Sequence, residues 1–431
     1  MSERELVVLL GGIESGRVVQ DRHGRLSFVY ADSWRNLPTA YPLSMSLPLQ
    51  VAEHGSARIE AYLWGLLPDN SSILQRWAAR FQVSARNAFA LISHVGEDCA
   101  GAVQLVRPER IDAVRKGAKG LIDWLTETDV AERLRALRFD PAAWREPKDM
   151  GQFSLAGAQP KTALLFEKGR WGVPSGRIPT THILKPPSGT FEGFPENEHF
   201  CLELARAVGL PAAESRVMHF GEEIVIVLER YDRVHTATGW TRIHQEDICQ
   251  AMGLPPAKKY QNDGGPSARS VVELLRLHSS APADDVATFV VALGLNWLIA
   301  ATDGHAKNYS LLTAPGGRVR LAPLYDIASV LPYPQFDLNR VKLAMKVGDK
   351  YRLGDIGRRD WLKLSDEIKT DPDELIGNLI HTAQALPDLV SDIARRAITA
   401  GLATPVIDRL STRLIGRSRV CLGKLGARQS G

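Results

Sequence analysis

Residues Ala301 to Leu312 read ATDGHAKNYSLL and place a carboxylate, an imidazole, an ammonium and an amide within six positions. Two chemistries suit such a set. Asp303 and His305 alternate along the chain and, in an extended segment, could put two metal ligands on one side, as a metal-dependent hydrolase requires. Asp303 and Asn308 stand five residues apart, the Asp-to-Asn spacing of a protein-kinase catalytic loop. Both residue types are also ordinary turn formers, so the neighbours must decide. A metal hydrolase needs a second His/Asp cluster of ligand spacing, which the sequence lacks, and Lys307 would oppose the ion. His305 then reads as a structural hydrogen-bonding residue.

The segment that follows favours phosphoryl transfer. YSLL, the turn TAPGG and RVRLAPLYD read as a β-hairpin, and the midpoint of Asn308 and Asp326 falls at Gly317, inside the turn. Residues placed symmetrically about a hairpin turn lie opposite each other. An amide oxygen and a carboxylate meeting there suit magnesium, which takes oxygen ligands together with substrate phosphates. Phosphoryl transfer also needs a lysine on the phosphates and a loop over them. Lys185, in the strand THILKPP, is the candidate lysine, and Glu198 on the next helix is its candidate partner; a solvated edge lysine is the plainer reading. SLAGAQPKTALL, Ser154 to Leu165, is a small-residue turn entering a strand and lets backbone approach phosphate. It is neither a GxGxxG nor a Walker loop, and taken singly is an ordinary turn.

The elements that must position these residues can be outlined. ELVVLL, GRVVQ and GRLSFVY are short strands punctuated by Gly11-Gly12 and His23-Gly24, in a mixed module ending near Val106 after AVQLV. Residues 107–148 are charge-rich, with helical patches such as DVAERLRALRF, and are expected to be a helical connector. KTALLFEKGRWGVP is a hairpin turning at Lys168-Gly169, ENEHFCLELARAVGL an amphipathic helix closed by Gly209, and EIVIVLE a buried strand. From about Gln245 the pattern is helical. Asp371-Pro372-Asp373-Glu374 opens one helix and DLVSDIARRAI is read as another. The expected fold is α+β and bilobal: a subdomain 1–106, the connector 107–148, a β-rich lobe 149–233 and an all-α lobe 234–431.

The 431 residues, 44% hydrophobic, allow more than one core. The uncharged run Val286 to Thr302 suits a buried helix better than a membrane span, and the charged start MSERELVVLL does not read as a signal peptide. A cytoplasmic protein is expected. Four scattered cysteines form no CxxC pair, so reduced, structural thiols are expected. A formal charge of +4 is too small to imply nucleic-acid binding by the whole chain. Arg340 to Lys363 holds eight basic residues against Asp349, Asp355 and Asp360, which is either a solvated surface or a footprint for nucleic acid or an acidic partner.

SLAGAQPKTALL, THILKPP, ENEHFCLELARAVGL, ERYDR, HQEDICQAMG, TDGHAKN, LAPLYDIAS and KLAMKVG, with AYLWGLLPDN nearer the start, resemble in order the HipA-type serine/threonine-protein kinases, toxins of bacterial toxin–antitoxin pairs. The resemblance covers nearly the whole chain. It implies ATP and Mg2+ as cofactors, Asp303 as the catalytic base, Asn308 and Asp326 as magnesium ligands, and Lys185 on the ATP phosphates. It implies a phosphate loop of Ala156, Gly157, Ala158, Gln159, Pro160 and Lys161. Glu229, Arg230 and Tyr231 would form the adenine-side hinge, with His305, Lys307 and Tyr325 also lining the nucleotide site. Ser154 would be autophosphorylated, ejecting the loop and switching the kinase off. Implied partners are a small helix-turn-helix antitoxin, operator DNA through that complex, and as substrate an aminoacyl-tRNA synthetase, the glutamyl enzyme first, with no membrane. One departure stands out: the family often has Gly-Asn where this chain has Ala300-Ala301. The rival readings are a small-molecule phosphotransferase of the aminoglycoside type, with the same Asp, Asn and Asp logic, and a DNA-binding regulatory partner.

Overall fold

The computed structural model describes residues 4–116, 121–143, 153–154, 156–187, 189, 191–237, 239–402 and 404–426. It is mixed α+β, with a β-rich first half and a helical second half. The chain divides into two compact units: Met1–Ser188, Met218–Pro256 and Ser310–Val319 form the first, and Gly189–Val217, Ala257–Tyr309 and Arg320–Gly431 the second.

The first unit begins with a five-stranded antiparallel sheet of β1 (Arg4–Leu10), β2 (Ile13–Gln20), β3 (Leu26–Tyr30), β4 (Glu53–His54) and β5 (Val103–Val106), in the order β4-β3-β2-β1-β5. β1 is buried on both faces. Leu6, Val8 and Leu10 join a large core with Tyr62, Leu63, Phe89 and Ile92 of the covering helices, while Val7 and Leu9 meet Val106 and Val114 on the other side. That two-sided burial is why ELVVLL is continuously apolar rather than alternating.

A six-stranded sheet follows: β6 (Ile122–Leu125), β7 (Thr162–Glu167), β8 (Arg170–Pro174), β9 (His182–Lys185), β10 (Ser215–Phe220) and β11 (Glu223–Glu229), in the order β10-β11-β9-β7-β8-β6. The β7–β8 hairpin turns at Lys168 and Gly169, with φ of 51° and 75°, the left-handed pair a two-residue hairpin turn demands. The stretch read as a connector contributes here. β6 pairs with β8, and Val130, Ala131 and Leu134 of the helix Glu127–Phe139 lie in the core under the sheet. Residues 117–120 and 144–152 of the expected connector and lobe boundary lie outside the described residues. A ribbon of β12 (Arg233–Thr236) and β13 (Gly239–Arg242) leads to a three-stranded sheet of β14 (His244–Asp247), β15 (Ser310–Ala314) and β16 (Arg318–Leu321).

The second unit is helical, built on Phe194–Ala207, Ala268–His278, Pro282–Leu298, Arg358–Ile368, Pro372–Thr399 and Pro405–Leu425. It departs from the sequence reading in two places. Asp371 caps Pro372–Thr399 as expected, accepting from Asp373 and Glu374 nitrogens at 2.9 Å, but DLVSDIARRAI is the second half of this same helix. Pro387 removes one backbone donor, yet Leu379, Ala383, Leu386, Val390 and Ile393 form one buried stripe across it, and that burial keeps the helix whole. The half expected to be all-α also holds a small ladder, β17 (Lys342–Val347) with β18 (Lys350–Arg352). Leu343, Ala344, Met345 and Val347 are buried between the lysines, so the basic stretch begins as a strand pair with an apolar side, and its last three basic residues, Arg358, Arg359 and Lys363, lie on the helix Arg358–Ile368. Among the described residues no helix is long and apolar enough to cross a membrane.

Candidate active site

In the second unit, the helix Pro282–Leu298 aims the catalytic-loop residues. Its first turn is closed by buried Asp285, which accepts from Arg320 Nη2 at 2.9 Å and the Leu321 nitrogen at 2.8 Å. Its last carbonyls, of Trp297 and Leu298, accept from the buried Arg417 guanidinium at 2.6 and 3.0 Å, the cation a helix C-terminus favours. The chain then reverses at Ala300, whose φ is 54°. Ala300 nitrogen donates to Trp297 O at 3.4 Å and Ala301 nitrogen to Asn296 O at 2.8 Å, the two bonds of a Schellman ending whose left-handed position usually holds glycine. The Gly-Asn departure noted in the sequence thus falls on a residue with a defined backbone task.

Beyond the reversal, Asp303 is exposed, whereas His305, Ala306, Lys307, Asn308 and Tyr309 are buried. The Asn308 amide Nδ2 donates to the carbonyl oxygen of Asp303 at 3.0 Å and to that of Asp326 at 3.3 Å. The two ends of the hairpin therefore meet as its symmetry predicted, around a turn in which Gly317 nitrogen donates to Ala314 O at 3.0 Å. Asp326 holds φ of 55°, a conformation that Asp and Asn tolerate better than most residues and that clusters at functional sites. Tyr325 Oη donates to Lys307 O at 2.7 Å, a second tie between loop and returning strand.

His305 is 5% exposed and packs edge-on against Tyr260, centroids 5.0 Å apart. Burial holds its imidazole below the usual histidine range. Tyr260 Oη in turn donates to Oδ1 of Asp303 at 2.6 Å. Tyr260 was missed in the sequence; the one signal was its place before the turn sequence QNDGGP. Asn197 was likewise missed beside Glu198. Its Nδ2 donates to Ser329 O at 2.7 Å and its Oδ1 accepts from the Ser329 nitrogen at 3.1 Å, while Ser329 Oγ donates to Ile299 O at 2.6 Å. The helix Phe194–Ala207, the LYDIAS segment and the loop approach are thereby tied together. Glu198 is itself buried on that helix.

The first unit carries the phosphate-loop candidates. Gly157 has φ of 102°, a backbone conformation that favours glycine and strains any L side chain. Lys161 Nζ folds back to donate to Ala156 O at 2.7 Å. The loop is docked on AYLWGLLPDN: Gly157 bridges Pro68, its carbonyl accepts from Asp69 nitrogen at 3.1 Å, and Ser154 Oγ donates to Leu66 O at 2.7 Å. Ser154 is 1% exposed. Ala158, Gln159 and Pro160 complete the turn into β7. Lys185 ends β9, buried, in register with Ile226 of β11.

Of the hinge candidates, Glu229 ends β11 opposite His182 and is exposed, and Tyr231 is half-buried. The Arg230 side chain is committed elsewhere. It donates to Asp232, Thr180 Oγ1 and Cys99 O at 2.8–3.1 Å, in a buried network where Arg233 and Arg242 also grip Asp98. Burial would raise the Asp98 carboxyl, but Arg242, Arg233 and Arg230 outweigh it and hold it well below the usual carboxylate range. A cavity of about 470 Å³ lies among the helices of the second unit, walled by Val286, Val290, Leu375 and Leu379, and shares no residue with the catalytic-loop candidates. Among the described residues no group of three or more His, Cys, Asp and Glu side chains is placed to hold a metal ion.

Residues 153–395 match the family model described as the HipA-like C-terminal domain, and residues 6–106 match the HipA N-terminal domain. The chain belongs to the HipA family of serine/threonine-protein kinases. A Sinorhizobium fredii relative, Y4mE, is 39% identical over 96% of this chain and 98% of its own. The serine/threonine-protein kinase toxin HipA of Shewanella oneidensis is 29% identical over 84% of this chain and 83% of its own. The solved complex of Shewanella oneidensis HipA with HipB and its operator DNA superposes with a TM-score of 0.81, at 26% identity over 97% of each chain. In this HipA-type chain the two matched regions contain, respectively, the catalytic-loop candidates and the segment on which the phosphate loop is docked.

Proposed function

We propose that the chain transfers the γ-phosphoryl group of ATP to a serine or threonine hydroxyl of a protein, with Asp303 as general base. The observation that carries this reading is the Asn308 amide bridging the Asp303 and Asp326 carbonyls at 3.0 and 3.3 Å. One residue thereby sets the spacing between the proton acceptor and the second metal-ligand candidate. The amide oxygen of Asn308 and the carboxylate of Asp326 are a hard-oxygen pair that fits Mg2+, which completes its shell with phosphate and water. When bound, the ion neutralises charge on the β- and γ-phosphates. Lys185 holds phosphate, the backbone of Ala156 to Lys161 covers it, and Glu229 to Tyr231 lie along the adenine. Exposed Asp303 takes the acceptor proton, which removing the side chain would cost roughly 10²–10⁴-fold in rate.

Ser154 is the site of self-phosphorylation under this reading. Its hydroxyl donates to the Leu66 carbonyl in a buried position; a phosphate there has no proton to donate and nearly two negative charges to bury, so the loop leaves its seat. The full chain incubated with γ-labelled ATP should yield phosphoserine at Ser154, absent from Asp303→Ala. Undiminished label in that variant refutes the assignment of the base.

The partners proposed are a small helix-turn-helix antitoxin and operator DNA, supported by the likeness to the Shewanella complex. The proposed substrate is an aminoacyl-tRNA synthetase, the glutamyl enzyme first, on family resemblance alone. Phosphoproteomics after induced expression of wild type and Asp303→Ala tests this; growth arrest without a phosphorylated synthetase would remove it.

A further inference from the structure

We infer that Tyr260 is a positioning residue for the base: its hydroxyl fixes Oδ1 of Asp303 and leaves Oδ2 to receive the acceptor proton. The inference rests on Asp303 being that base. Asp303 is exposed, and an exposed aspartate ordinarily spreads over several rotamers. Here the Tyr260 hydroxyl donates to it at 2.6 Å, the short distance of a charge-assisted O–H···O⁻ bond.

The tyrosine ring and the backbone that carries it are held from several directions. The Tyr260 ring meets the buried His305 ring edge-on at 5.0 Å, and Lys259 Nζ lies 5.5 Å from its centroid. Lys259 O accepts from the Ala306 nitrogen at 3.1 Å, which pins this segment to the catalytic loop itself. On the next residue, Gln261 Oε1 accepts from the Lys346 nitrogen of β17 at 2.8 Å. The turn behind is equally tight: Gly265 nitrogen donates to Tyr260 O at 2.9 Å, and a Cβ on Gly265 would lie 2.0 Å from Lys258 O. A ring fixed in this way serves as a reference point for the carboxylate rather than a gate that swings aside.

The chemistry balances without consuming the tyrosine. The acceptor oxygen forms its bond to the γ-phosphorus as its proton passes to Oδ2. The bond from that phosphorus to the β–γ bridging oxygen breaks, and ADP leaves. The Tyr260 proton remains on its own oxygen throughout.

The test compares wild type, Tyr260→Phe, Tyr260→Ala and Asp303→Ala as full chains, with γ-labelled ATP and dephosphorylated casein as a generic acceptor. Label in the chain and in casein are both read. Tyr260→Phe keeps the ring against His305, so its unfolding midpoint should match wild type. Its kcat should fall about ten- to a hundredfold, the scale of a misplaced reacting group, with KM for ATP unchanged. Tyr260→Ala should be little slower than Tyr260→Phe. Wild-type kcat in Tyr260→Phe, alone or alongside a loss in Tyr260→Ala, overturns the inference, because ring packing would then be the whole role. A faster Tyr260→Phe also overturns it, since the hydroxyl would be competing with the acceptor. Label transfer surviving in Asp303→Ala, or none in wild type, defeats the underlying assignment and this inference with it.

Discussion

Ala300 holds a φ of 54°, where an L-residue pays about 1–2 kcal/mol that glycine does not. Glycine also loosens the unfolded chain, offsetting roughly 0.4–1 kcal/mol. Ala300→Gly should therefore stabilise the protein by roughly 0.5–1 kcal/mol in guanidinium unfolding, with kinase activity kept. A second residue sets a pH dependence. Glu246 is 1% exposed, and burial pushes its carboxyl up to about 8. Its Oε1 accepts from Met45 nitrogen at 2.8 Å. The unfolded carboxyl loses its proton near 4.5 and the folded one only near 8, so the folded state binds the extra proton between those values. Stability should fall across that window by about 1.4 kcal/mol per pH unit. Glu246→Gln, unfolded by urea at pH 5.5 and at pH 7.5, should flatten this slope. At this scale the sequence was partly legible. Asp303, Asn308 and Asp326 announce themselves by spacing and turn symmetry, whereas Tyr260 reaches Asp303 across 43 residues and no local pattern records that contact.

Helices here are fixed by what closes their ends and stripes more than by propensity. Pro372–Thr399 runs through Pro387 because its buried stripe is unbroken, where the sequence pattern read as two helices, one opening at Asp371 and one over DLVSDIARRAI. The four-residue strand β6 went unread for the opposite reason: IDWL is too short to carry a period, and only its pairing with β8 makes it a strand. By contrast the β7–β8 hairpin was readable outright, because its turn residues supply the backbone angles the turn needs. The helix Phe194–Ala207 carries the prediction that belongs here. Asn197 satisfies both the carbonyl and the nitrogen of buried Ser329. Asn197→Ala leaves both groups without that partner, which should cost about 1–3 kcal/mol by thermal unfolding. Kinase activity should fall as well, since Ser329 also ties to Ile299 ahead of the catalytic loop.

Within the first unit, one ionic network joins stretches distant in sequence. Asp98 receives Arg233 and Arg242 at 3.0 Å and Thr180 Oγ1 at 2.7 Å, while its carbonyl accepts from the Ser154 nitrogen at 3.0 Å. Asp98→Ala leaves buried arginines short of their counter-charge and should cost about 3–5 kcal/mol in chemical denaturation. Composition gave no sign of this network, because its members are ordinary surface residue types until the fold buries them. The residue patterns, by contrast, made a β-rich first half and a helical second half readable before any contact was known. The division of the chain also bears on synthesis. The path passes between units after residues 188, 217, 256, 309 and 319, so the first unit is finished by a late strand, β15, which pairs with β14 through Asp247 and Ser310. On the ribosome β14 waits with an open edge until Ser310 to Ala314 emerge. A chain that stops short of them leaves the first unit incomplete, so the cell meets a finished first unit only when about three quarters of the chain has been made.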